Sequence, residues 1–256
     1  MKEERVKLIR CIHNLTTNSV RRAYKKFKDL DLWRGPSLDF HRMTISYLRR
    51  KQQKPNFSYE SLSQDQYFLI LLYGTLATWG LHRMGTKRRM VNFMIFKEQV
   101  RSILELLDGI KEITLSNSTF AEINNEEKRI RCLFKKPRIT EGKNLQASNQ
   151  VPILVPNSKL LHHLHPDLCP PMDWEYIFRY FYCKNINAKQ PYRQSTPDRQ
   201  IEWFWKILTE YKRFYDLHYK IVNSFLNQDI TGMETSITKI IDNIVVGYTV
   251  IMRKQR

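Results

Sequence analysis

QYFLILLYGTLATWGL, Gln66 to Leu81, is the most apolar stretch of the chain. Apolar residues fall on nearly every side of a helix drawn through it, which marks a helix buried in a protein core. Ser63 or Asp65 supplies a start signal. The stretch falls short of the roughly 20 apolar residues needed to span a bilayer. It therefore predicts the central helix of a water-soluble helical fold.

The flanking sequence repeats the helical pattern. SVRRAYKKFKDL places Val20, Ala23, Tyr24 and Phe27 on one face, with cations over the rest. A helix is also expected over EERVKLIRCI. Ser37 is the expected cap of a helix running to Arg50. Gly85 is the expected stop after the central helix. Lys87 to Leu107 reads as one long amphipathic helix, and residues 116–136 as another. Ser195-Thr-Pro-Asp198 opens a helix with Thr196 as cap and Pro197 in its first turn. That helix should reach Leu226, and a last one should span Met233 to Arg253. VPILV at 151–155 is the nearest approach to a strand. The expected class is all-α with little or no sheet. The domain reading is a basic helical region at 1–136, a polar linker or loop at 137–150, and a second helical region at 151–256, which can pack together.

With 256 residues the chain can bury a sizeable core, and 8 Gly and 10 Pro are too few for a turn-rich β fold. The formal charge of +18 is the strongest global signal. Such a surface suits a polyanion, because Lys and Arg contacts release counterions from nucleic acid. DNA is the expected partner ahead of RNA. The basic positions with the best claim to phosphate are Arg21, Arg22, Lys25, Arg49, Arg50, His82, Arg83, Lys87, Arg88 and Arg89. A further basic run, from Lys128 to Lys136, reads the same way. Tyr and Trp nearby are candidates for base stacking. The alternative is a set of independently solvated helix faces. MKEERVKLIRCIHNL lacks an apolar run of signal-peptide length, and no Cys-x-x-Cys pair occurs. These features suggest a cytoplasmic protein with reduced thiols, no membrane partner and no cofactor.

Chemistry concentrates in NSKLLHHLHPDLCPPMD, Asn157 to Asp173. His162, His163, His165 and Cys169 are all possible metal ligands, but neighbours on a helix diverge by about 100°, so no complete ligand set forms and no metal is expected. Lys159 and Asp173 are the other candidates. A helix carrying Lys159, a proline-bounded turn and Pro171-Met172-Asp173 opening the next helix resemble the core of the helix-hairpin-helix DNA glycosylases, over residues 151–182 in a divergent, Gly-poor form. The resemblance implies DNA repair. Lys159 would attack the sugar and Asp173 would stabilise the developing charge. Without it, Asp173 is the cap of the helix WEYIFRYFY. Arg213 and His218 in RFYDLH resemble the active-site pair of the HEPN ribonucleases, helical proteins that cut RNA without metal. A non-enzymatic subunit of a nucleoprotein complex is the third reading. The turn Trp79 to Gly85 is distinctive enough to hold a phosphate or merely to end the buried helix.

Overall fold

A computed structural model describes residues 7–30, 35–81, 88–142, 152–183, 195–228 and 235–254. Its helices are α1 (Thr17–Lys28), α2 (Pro36–Gln52), α3 (Gln66–Thr78), α4 (Phe93–Asp108), α5 (Phe120–Asn125), α6 (Glu127–Lys135), α7 (Leu154–Leu164), α8 (Arg179–Tyr182), α9 (Pro197–Asn227) and α10 (Ile237–Lys254). A 3-10 turn at Glu60–Gln64 and a π turn at Trp174–Phe178 are also present among the described residues. Strands β1 (Arg88–Met90) and β2 (Thr140–Gly142) form one antiparallel pair, with Arg89 opposite Glu141. The class is all-α. No helix of the described residues is long and apolar enough to cross a membrane.

The expected starts hold where a side chain can reach a free N–H. Asp65 accepts from Phe68 N at 3.0 Å and begins α3. Thr196 accepts from Arg199 N and begins α9, with Pro197 behind it. Ser37 is not the cap of α2. Gly35, at φ 79°, takes that place, and Pro36 opens the helix. Pro36 has no N–H to satisfy, so a side-chain cap there gains less.

Other boundaries moved for tertiary reasons. Of the helix expected over residues 3–12, residues 3–6 lie outside the described residues and 7–12 are irregular. Their backbone is held elsewhere: Ile9 N donates to Phe181 O at 2.7 Å, and Arg10 Nη1 donates to Tyr180 O and Cys183 O. The long helix from Lys87 begins only at Phe93, under an Asn92 cap, because residues 88–90 pair with β2. Met94 and Ile95, apolar positions of that amphipathic stretch, are 62% and 38% exposed. The helix over 116–136 breaks at Glu126, which closes α5 by bonding back to its carbonyls. Val155 lies in α7, not in a strand. The expected stop at Gly85 lies outside the described residues.

α3 enters the core with Phe68, Leu69, Leu71, Leu72 and Leu76, while Tyr67 and Ile70 stay half exposed. Burial is more complete in α10, whose residues 237–247 are all enclosed. α10 packs most closely on α1, and α9 packs on α10 and α6. These contacts join the regions 1–136 and 151–256. At Gly247 the two helices touch backbone to backbone: a Cβ there would lie 1.9 Å from Ala23 O.

Candidate functional site

Ser158 explains how Lys159 and Asp173 meet. Its hydroxyl accepts the Met172 N–H at 3.1 Å, which folds the proline turn back along α7. Thr238 Oγ1 of α10 holds Pro166 O from the other side. Gln200 Oε1 accepts Ile153 N and Leu154 N, so a neighbouring helix caps α7. Asp173 then caps the π turn, accepting Tyr176 N at 2.6 Å and Ile177 N at 3.4 Å. The cap anticipated from the sequence is therefore present.

A cavity of about 270 Å³ opens beside this turn, lined by Trp79, Lys159, Asp173, Tyr176, Lys239 and Asp242 among others. Lys159 Nζ donates to Trp79 O at 2.6 Å and lies 5.9 Å from the Trp79 ring centre. Lys239 Nζ is 5.5 Å from the same ring and is paired with Asp242. Two ammonium groups thus lie near one indole, and Asp242 is paired with one of them. Burial pulls the Lys159 ammonium below the usual lysine range, against the attraction of Asp173 and Asp242. Burial pushes the Asp173 carboxyl up, and pushes Asp242 up to about 6. Desolvation thus moves amine and acid toward their neutral forms. Lys159 and Asp173 line one cavity, and the Lys159 ammonium is held by Trp79 O rather than by the carboxylate.

The sequence pointed to Lys159 with Asp173 in one motif and to Trp79 in another, and the fold brings the three to one cavity. It gave no prominence to Lys239 and Asp242. Their signal was there: two charges three residues apart inside the largely apolar ITKIIDNIVVG.

The histidines of the same stretch serve the scaffold. A directional chain fits the geometry. Thr235 Oγ1 donates to His41 Nε2, His41 Nδ1 donates to His163 Nε2, and His163 Nδ1 donates to Lys159 O, each over 2.8–2.9 Å. His162 Nδ1 is turned to Cys169 O and His165 Nε2 to Ile110 O. The three adjacent histidines face three different partners and do not converge on one point.

Arg213 and His218 lie on α9. Arg213 is exposed over the Phe120 ring, 5.5 Å from its centre. His218 is half buried at a kink in α9, with φ −122° and ψ 19°, against the Phe214 ring. It turns to the backbone of His13 and Leu15.

The basic candidates separate by what already holds them. Arg49 grips Asp167 with both guanidinium nitrogens and ties α2 to the turn after α7. Arg49→Ala is expected to cost about 1 kcal/mol in a urea titration while leaving nucleic-acid affinity unchanged. Arg89 pairs with Glu141 across the strands. In the Lys128 to Lys136 run, Arg129, Arg131 and Lys135 all engage carboxylates. Arg50 is exposed beside the Tyr47 ring. His82, Arg83 and Lys87 lie outside the described residues, and of Arg88 only the strand backbone is described. Arg21, Arg22 and Lys25 stand exposed on α1. Arg22, Lys25, Lys26 and Lys254 line a groove of about 310 Å³ where the C-terminal ends of α1 and α10 meet, with Asp29 as the one acid among them.

No family model, no curated protein and no solved structure matches the chain. With no glycosylase relative by sequence or fold, the DNA-binding, helix-hairpin-helix and DNA-repair reading is withdrawn. The local geometry gives the physical reason. Pro156, Asn157 and Ser158 lie inside α7, and all three are buried. Asn157 Nδ2 is spent on Phe134 O and Pro137 O. No hairpin there offers backbone N–H groups to a phosphate.

Proposed function

We propose that the protein binds nucleic acid through the phosphate backbone, at the groove between the ends of α1 and α10. The supporting observation is that groove: four cations from two helices around one carboxylate, on a chain of formal charge +18. Part of this charge serves the helices themselves. Cations in a last turn offset the helix dipole, by about 0.3–1 kcal/mol each. That effect asks only that the charges sit near each helix end. It does not ask that two helices bring them to a shared concave surface. Phosphates spaced along a strand would meet several of them at once.

The test is fluorescence anisotropy with a labelled poly(U) strand across a salt series. Affinity should fall linearly on logarithmic axes as salt rises. The double substitution Arg22→Ala, Lys25→Ala should weaken binding about tenfold at low salt and flatten the slope by about 1–2. Lys135→Ala, which removes a cation already paired with Asp198, serves as the control. A double variant with the parent's affinity and slope would remove the groove from consideration, as would a parent that binds no strand at low salt.

A further inference from the structure

A second cluster lies away from both the charged pocket and the basic groove. Cys11, His13 and Glu210 each offer a ligand atom, and these atoms lie within 4.8 Å of one another. The segment that carries Cys11 and His13 is irregular but fixed. Ile9 and Arg10 bond to the backbone of α8 and of Cys183 just beyond it, and Ile12 is fully buried. Tyr180 Oη reaches Cys11 O at 3.4 Å. Glu210 comes from the middle of α9, and none of its surface is exposed. The cluster was not visible in the sequence, where His13 and Glu210 stand 197 positions apart, except as the pattern Cys-x-His.

Glu210 uses one oxygen and leaves the other idle. Oε1 accepts His13 N at 3.2 Å and faces His13 Nδ1 at 2.7 Å. Oε2 is buried with no hydrogen-bond partner. A fully buried carboxylate with a free oxygen calls for a proton or a cation. The contact with His13 accounts for Oε1 alone. It accounts neither for Oε2 nor for a thiol placed beside both groups.

We propose that Cys11, His13 and Glu210 form a binding site for a divalent transition-metal ion of the zinc class, with a fourth coordination position open. The ligand set selects the ion. Thiolate and imidazole suit zinc, whereas magnesium and calcium take oxygen ligands. Charge closes as well: one thiolate and one carboxylate neutralise a dication, and the imidazole binds neutral. Binding expels the Cys11 thiol proton to solvent. If Nδ1 is the ligand atom, its hydrogen moves to Nε2 as the tautomer changes. Ligand atoms around a tetrahedral zinc stand roughly 3.3 Å apart, from bonds of about 2.0–2.1 Å. The 2.7 Å His13–Glu210 contact therefore opens slightly when the ion replaces the shared hydrogen. His13 is 26% exposed, which leaves a path for entry.

The experiment uses the full chain, stripped with a chelator and titrated with zinc, and in parallel with cobalt as an optical probe. One equivalent of zinc should bind, and the cobalt form should show a thiolate-to-metal charge-transfer band. Cys11→Ser and His13→Ala, at half-buried positions, should each weaken zinc at least tenfold, and Cys11→Ser should erase the band. Cys132→Ser, at an exposed cysteine elsewhere, should change neither. Zinc binding as tight in Cys11→Ser as in the parent overturns the proposal. So does a cobalt form without the charge-transfer band, or a chain that takes up no zinc.

Discussion

Gly247→Ala should be among the most damaging single substitutions in the protein, at about 3 kcal/mol or more. In a free helix the same change would help, by nearly 1 kcal/mol, because alanine is the better helix former. Packing reverses the sign. The new methyl would stand 1.9 Å from Ala23 O and 2.8 Å from Ala23 C, and both are backbone atoms of α1. Backbone cannot swing aside as a side chain does, so α1 and α10 must separate, and overpacking costs of 1–3 kcal/mol or more follow. Gly74 provides the contrast. A methyl there meets the Phe40 ring at 2.8 Å, and a ring edge can give. Urea unfolding followed by circular dichroism measures both. A Gly247→Ala midpoint equal to or above that of the parent would show that the helices do not meet as described.

Acid should unfold the protein well before its carboxylates are titrated out. His41, His162, His163 and His165 are all buried, and burial lowers the pKa of each, that of His163 to about 3. In the unfolded chain each imidazole takes its proton near 6.5. Between those limits the unfolded state holds a proton that the folded state refuses, so stability falls as pH falls. His163 alone is worth on the order of 5 kcal/mol across its window. Asp242 acts the other way. Its folded pKa of about 6 lies above the ordinary carboxyl value, so the folded state takes up the proton first and gains stability on acidification. Asp173 shares that direction. Four imidazoles outweigh two carboxyls. The melting temperature should therefore drop steadily from pH 7 to pH 4.5 in scanning calorimetry, and His163→Gln should flatten the drop. A melting temperature that holds or rises over that range would mean the histidines are not enclosed as neutral groups.

Helix existence was largely legible because it depends on local signals. The stripe of Val20, Ala23 and Phe27, the Asp65 cap and the Thr196-Pro197 start all belong to single elements. Boundaries failed where a distant partner outbid the helix: residues 9–13 turn to α8 and α9, and residues 88–90 turn to β2. The site was half legible. Lys159 and Asp173 stand in one motif, but their pocket is completed by Trp79 from α3 and by Lys239 and Asp242 from α10. The charged list shrank for a similar reason. A single chain shows how many cations it has, but not that Arg49 faces Asp167. The three histidines read as the most conspicuous chemistry, yet their ring nitrogens were placed by backbone carbonyls that no sequence pattern displays.

The pairing of α1 with α10 also bears on how the chain reaches its fold. The two helices are mutual partners across nearly the whole sequence, and contacts of such separation form late and slow folding. During synthesis α1 is made before α10, so Val20, Ala23 and Phe27 stand unshielded until the helix that covers them follows. Nascent chains stalled before Ile237 should carry that stripe open to chaperones and to aggregation. The cations along the rest of α1 then keep the waiting helix soluble, a service rendered before any folded surface exists.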